Sequence, residues 1–362
     1  MRIWPTLLAF GWLAAAQTAG PEQLFREAVA AQRRGDDATA IRDYQELLRL
    51  SADVPEVHAN LGAVLVHAGR IDEAIDQYRI ALGKDQRNFS FRLNLALAYY
   101  KKGAFPDAAK ELDTLHAADA RDVRVATLLG DCYVHLGQDE KAVQLLGPAG
   151  AAHPEDLGIA WLLGAALIRT GHDREGLDMV EHVAKGGNSA EAYLLAGRTA
   201  LKMTEFERAR DDSDAAMRLN PQLPGVLTLR GMVLPYLGEE DNAIAALRKA
   251  LVADPKDFDA QLNLGAVLHT QRNLEEAAQH LQRALELQPD STLARYEWAR
   301  LERTEGKLEA AAADFEKVIA RDPSWPQPHV ELSALYFRLN RQQDGDRERA
   351  LFEKLSAQQG KK

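Results

Sequence analysis

Residues 260–289 read AQLNLGAVLHTQRNLEEAAQHLQRALELQP. Leu264, Gly265 and Leu268 fall on one face of a helix. A second helical run follows, and Pro289 stops it. Two small residues, Gly265 and Ala277, mark one helix each. Stepping outward from Gly265 in strides of 34 reaches Gly231 and Gly197 on one side, Ala299 and Ser333 on the other. One stride of 33 leads back to Gly164, and the 34-residue stride then resumes through Gly130, Ala96, Gly62 and Ala28. A second track keeps phase with the first: Ala40, Ala74, Ala108, Ala142, Gly176, Ala209, Ala243, Ala277, Ala311 and Gly345. Ten units in register make a repeat array, in which each unit leans on its neighbours to bury its apolar face.

Units numbered 1 to 34 begin at residues 21, 55, 89, 123, 157, 190, 224, 258, 292 and 326. Small residues at positions 8 and 20 allow two helices to cross closely. Position 15 is glycine in seven units, Gly35, Gly69, Gly103, Gly137, Gly171, Gly238 and Gly306. A glycine just past a helix end accepts the left-handed backbone. The pattern predicts an all-α, right-handed α-solenoid of about ten helix-turn-helix units over 21–341, a terminal capping helix over 342–358 and a frayed tail at 359–362. In the capping helix Leu351, Phe352 and Leu355 form the expected inward stripe.

These stretches, together with AEAYLLAGRTALKMTEFERARDDSDAAMRLNP at 190–221, resemble the tetratricopeptide repeat, over roughly residues 21–358. The resemblance implies that first helices line a concave binding surface through positions 2, 5, 6, 9, 12 and 13. At those positions lie Tyr100, Arg124, Trp161, Arg198 and Tyr236. Asn60, Asn94 and Asn263 share position 6, where the resemblance implies an amide that grips a bound peptide's backbone, as donor and acceptor at once. Cations outnumber anions on these positions, ten to seven, so a mildly basic groove is expected on an acidic chain of net charge −10. A clamp for a C-terminal carboxylate, known in the family, lacks its cations here and is not expected.

The first residues, MRIWPTLLAFGWLAAAQ, carry one arginine, an apolar run and three alanines. They read as a secretory signal peptide over 1–16, cleaved after Ala16, which predicts a periplasmic or secreted protein with no stable membrane span. The acidic balance argues against nucleic acid as a partner. Cys132 has no second cysteine to pair with and is expected to pack as a small hydrophobe. His67 and His135 read as solvated groove edges, and Asp211, Asp212 and Asp214 as a wet outer face.

Residues 147–189, with Gly147-Pro148 and the pair Gly186-Gly187, read as the softest stretch and a possible hinge. Pro235 should kink the first helix of its unit. No HExxH, phosphate loop or G-x-S-x-G is present, so neither catalytic residues, metal nor cofactor is predicted. The expected function is non-enzymatic binding of a protein or peptide partner in the cell envelope. The alternative is an accessory role in envelope polysaccharide export, with a glycan as partner.

Overall fold

The computed structural model describes residues 19–50 and 53–359. The leader reading on 1–16 lies outside them, as do residues 360–362 of the tail. The described residues form helices and no strands, in two compact units, one ending at His182 and one beginning at Val183. The first holds α1 (Ala19–Arg34), α2 (Asp37–Arg49), α3 (Pro55–His67), α4 (Ile71–Lys84), α5 (Phe89–Lys102), α6 (Phe105–Ala118), α7 (Val123–His135), α8 (Asp139–Ala152), α9 (Leu157–Arg169) and most of α10 (Asp173–Gly187). The second holds α11 (Ala190–Lys202), α12 (Phe206–Leu219), α13 (Val226–Val233), a 3-10 turn (Leu234–Leu237), α14 (Glu240–Ala253), α15 (Phe258–Thr270), α16 (Leu274–Leu287), α17 (Thr292–Thr304), α18 (Leu308–Arg321), α19 (Pro326–Arg338) and α20 (Gln342–Gln359). The expected all-α array of helix-turn-helix units is what the chain forms.

Each hairpin closes for the reasons its small residues suggest. A Cβ placed on Gly62 would lie 2.9 Å from the Tyr78 ring, and one on Gly130 would lie 2.7 Å from Leu146. Position 8 is thus small because position 24, opposite it, is large. At the crossing of α9 on α10 glycines face each other and the clash would be with backbone: a Cβ on Gly176 would meet the Gly164 carbonyl oxygen at 2.7 Å and the Ile168 nitrogen at 2.9 Å. Every position 15 takes a left-handed backbone, including the three that are not glycine: Thr204 (φ 60°), Arg272 (φ 64°) and Asn340 (φ 58°).

Two further regularities are visible only in the folded chain. Asn88, Asp122, Asp156, Ser189, Asp257 and Ser291 each precede a first helix and accept a hydrogen bond from one or two of its opening N–H groups. A polar side chain at position 4 also reaches across the hairpin to position 23. His58 meets Gln77 at 2.7 Å, Gln261 meets His280 at 2.7 Å and His329 meets Glu348 at 2.7 Å, while Arg92 pairs with Glu111 and Arg295 with Asp314. Arg92, Gln261, Arg295 and His329 also bond the carbonyl six residues back, so one side chain ties both helices to the inter-repeat turn.

In the stretch read as softest, α8 runs through Gly147-Pro148, because Gly147 has no Cβ to clash with the proline ring. Gly186 and Gly187 are the last residues of α10, and Asn188 takes the left-handed turn (φ 48°). Three other expectations are corrected. Pro235 does more than kink a helix. It ends α13 at Val233, after eight residues, and the chain goes on as the 3-10 turn. The aspartates of α12 are not a wet face: Asp212 is buried and Asp214 pairs with Arg230, leaving only Asp211 well exposed. In α20, Phe352 and Leu355 are half-buried, but Leu351 turns outward.

Candidate functional site

Within each unit, first helices touch the first helix of the next repeat: α3 on α5 and α7 on α9, and likewise α11 on α13, α13 on α15 and α15 on α17. Closely set first helices form one layer, and the side chains between them make its surface.

In the first unit, Asn60 on α3 and Asn94 on α5 stand on touching helices, both half-buried. Neither amide has a side-chain hydrogen bond within the described residues, so each keeps donor and acceptor capacity for a ligand. Trp161 on α9 is half-buried. Tyr100 is not the free anchor that its position suggests. Its hydroxyl donates to Asp131, and its ring meets Phe105 edge-on at 5.4 Å. Burial first, and the Asp131 carboxylate second, push the phenol well above its ordinary range. His135 stacks flat on Phe105 (4.1 Å, 6°) and lies 3.6 Å from Asp131, which closes the cluster. His67 is the solvated edge expected, paired with Asp37 at 2.7 Å. Arg124 is exposed but bidentate on Asp122, the cap of its own helix.

In the second unit, Asn263 is spent on its own helix, donating to the Asp259 carbonyl at 2.8 Å. Arg198 is exposed and packs over Gly225, where a Cβ would come within 2.6 Å of its guanidinium. Tyr236 is 64% exposed, with its ring stacked on Phe206.

At least half of the ten cations expected along the groove are engaged within the chain, Arg124 among them. Lys101 donates to the Val66 carbonyl, Arg169 grips Asp139, Arg300 grips Glu297 and Arg303 pairs with Glu331. The surface therefore carries fewer free cations than its composition suggests.

Sequence reasoning missed one network. On α15 and α17, Thr304 donates its hydroxyl proton to the Arg300 carbonyl, so its oxygen accepts from His269 Nε2 at 2.7 Å. That fixes the tautomer and leaves His269 Nδ1 buried with a lone pair and no partner, while Arg300 Nε–H is also buried and unpartnered. Burial first, then the cations Arg300, Arg272 and Arg303, hold His269 below the ordinary imidazole range. Burial also raises Glu297 in spite of its arginine. The only advance signal was a histidine at an inner position beside two arginines. No three His, Cys, Asp or Glu side chains among the described residues converge as a metal site. No helix among them is long and apolar enough to cross a membrane.

Comparison with known proteins adds the following. A family profile described as tetratricopeptide repeat matches residues 93–147 and 228–292, and one described as TPR repeat matches 64–103. Human protein O-mannosyl-transferase TMTC1 is 29% identical over 140 residues, 37% of this chain and 16% of that protein. Human superkiller complex protein 3 is 24% identical over 303 residues, 83% of this chain and 18% of that protein. The chain thus spans less than a fifth of the length of these relatives. Among solved structures, the Cut9–Hcn1 hetero-tetramer of the APC/C aligns over 94% of this chain and 88% of that chain, with TM-score 0.56 and 14% identity. A tetratricopeptide repeat protein from Parabacteroides merdae ATCC 43184 aligns over 69% of this chain and 100% of that chain, with TM-score 0.50 and 17% identity.

Proposed function

We propose that this tetratricopeptide-repeat protein is a non-enzymatic scaffold, exported to the cell envelope, that holds an extended or helical segment of a protein partner against its first-helix layer. The observation that carries the reading is the pair of unspent amides, Asn60 and Asn94, on touching helices. An amide pair of this kind serves a main chain whatever its side chains, and an aromatic two repeats further along, Trp161 on α9, supplies the apolar contact on which interface energy concentrates. The consumed cations argue against a strongly acidic ligand in this half. Export rests on the apolar leader, residues 1–16.

A photoreactive side chain placed at Asn94 or Trp161 should crosslink a protein partner in intact cells. The same group at Ile80, exposed on α4 of the second-helix layer, should not. Adducts from Ile80 alone would defeat the reading. Mass spectrometry of the mature N-terminus tests export, with Gln17 expected as the first residue.

A further inference from the structure

Two aromatic stacks occur at the same register, position 17 of one repeat on position 13 of the next, one in each compact unit. In the first, Phe105 and His135 are shut in by Tyr100, which meets Phe105 edge-on, and by the neighbouring Asp131. In the second, Phe206 and Tyr236 lie parallel (4.3 Å, 2°), and Tyr236 makes no other ring contact among the described residues and stays 64% exposed. Pro235 is the local cause: it converts the end of the helix into the 3-10 turn that carries Tyr236 outward. One face of the Tyr236 ring is thus held by Phe206 and the other is open.

The chain adjoining both rings of the stack is rich in carboxylates. The segment after Tyr236 runs Leu237, Gly238, Glu239, Glu240, Asp241, and Glu207 follows Phe206. Among the described residues Glu239 and Asp241 accept only from the neutral amides of Asn242 and Gln271, so their charge is uncompensated by those bonds. Glu207 and Glu240 have no side-chain bond within the described residues. The nearby Arg210 lies within electrostatic reach of both Glu207 and Glu239, but its guanidinium is bonded to Asp211.

We propose that the open face of Tyr236 is a docking plate for a cationic side chain, arginine above all, of a basic partner segment. An aromatic face is electron-rich, and carboxylates around it draw in a cation and repel an anion. A neutral sugar gains nothing from that charge. The chain uses the same contact internally, with the Arg341 guanidinium 4.1 Å from the Tyr336 ring centroid. The inference lies in the other compact unit from Asn60 and Asn94 and does not depend on their role.

The test uses the full chain with ring-labelled tyrosine, the Tyr236 resonance being assigned by its loss in Tyr236→Phe. The probes are hexa-arginine, hexa-glutamate and maltohexaose. Hexa-arginine should shift the Tyr236 resonance saturably. Its affinity should fall roughly threefold in Tyr236→Leu, hold in Tyr236→Phe, and fall again in the Glu207→Gln, Glu240→Gln pair. Equal hexa-arginine affinity in wild type and a folded Tyr236→Leu variant would mean diffuse attraction to an acidic chain and overturn the proposal. A Tyr236 shift caused by maltohexaose or hexa-glutamate instead would also overturn it. Should Tyr236→Leu fail to fold, the wild-type resonance decides alone. Crosslinking at Asn94 and Trp161 judges the first-helix reading separately, so either can fail without the other.

Discussion

Replacing Gly176 by alanine should weaken the protein, whereas the same change at Gly83 should strengthen it. Both glycines are helical, so both substitutions gain about 0.5–1 kcal/mol of helix propensity. At Gly83, near the end of α4, nothing lies within 4 Å of the new methyl group, and the gain stands with no steric cost. At Gly176 the methyl would sit 2.7 Å from the Gly164 carbonyl oxygen and 2.9 Å from the Ile168 nitrogen. Those are backbone atoms of α9, which cannot rotate away as a side-chain tip does, so α9 and α10 must separate and loosen the contacts around Val180 and Met179. Overpacking costs about 1–3 kcal/mol, and a clash with backbone atoms falls in the upper part of that range, about 2–3, which leaves Gly176→Ala destabilised by roughly 1–2.5 kcal/mol. Urea unfolding followed by circular dichroism reads the midpoints. Amide exchange in α9 and α10 localises the loss, since repeat arrays can open in parts. A Gly176→Ala protein as stable as wild type would refute the account of why this crossing is built from two glycines.

Three other outcomes are expected. Thr204→Gly should stabilise by about 0.5–1 kcal/mol, because a β-branched residue at φ 60° is strained and glycine is not, and a lower urea midpoint would contradict this. Glu302 is the one acidic residue at position 11, is buried, and has Oε2 unpartnered, with burial first and Asp314 second raising it above the usual carboxylate range. A raised carboxylate favours the fold fully below its unfolded pKa, about 4.3, and loses that contribution as pH rises through the folded value. Glu302→Gln should therefore gain about 1 kcal/mol over wild type near pH 7.5 and little near pH 4, and a gain equal at both pH values would show that charging is not the cause. Cys132 is fully buried, with burial pushing its thiol up to about 12, so a thiol-specific disulfide reagent should modify it only after unfolding.

The sequence by itself determined the repeat, its register and its helices. Those depend on spacings inside one unit: a small residue where two helices cross, a glycine where the chain turns left-handed, an apolar stripe between them. Even the exceptions obeyed the register, since Thr204, Arg272 and Asn340 take the glycine conformation at position 15. What only the tertiary structure decided was which side chains remain available. Asn60, Asn94 and Asn263 are equivalent in sequence, yet Asn263 bonds its own helix and the others do not. Tyr100 looked like an anchor and is closed by Asp131, 31 residues on, while Tyr236 is left open by the turn that Pro235 forces. Arg169 and Arg303 looked like a rim and are neutralised by Asp139 and Glu331 of neighbouring repeats. Such pairings depend on which polar atoms of two adjacent units come within about 3 Å of each other. A periodicity that is the same in every unit cannot encode a contact that differs from one junction to the next.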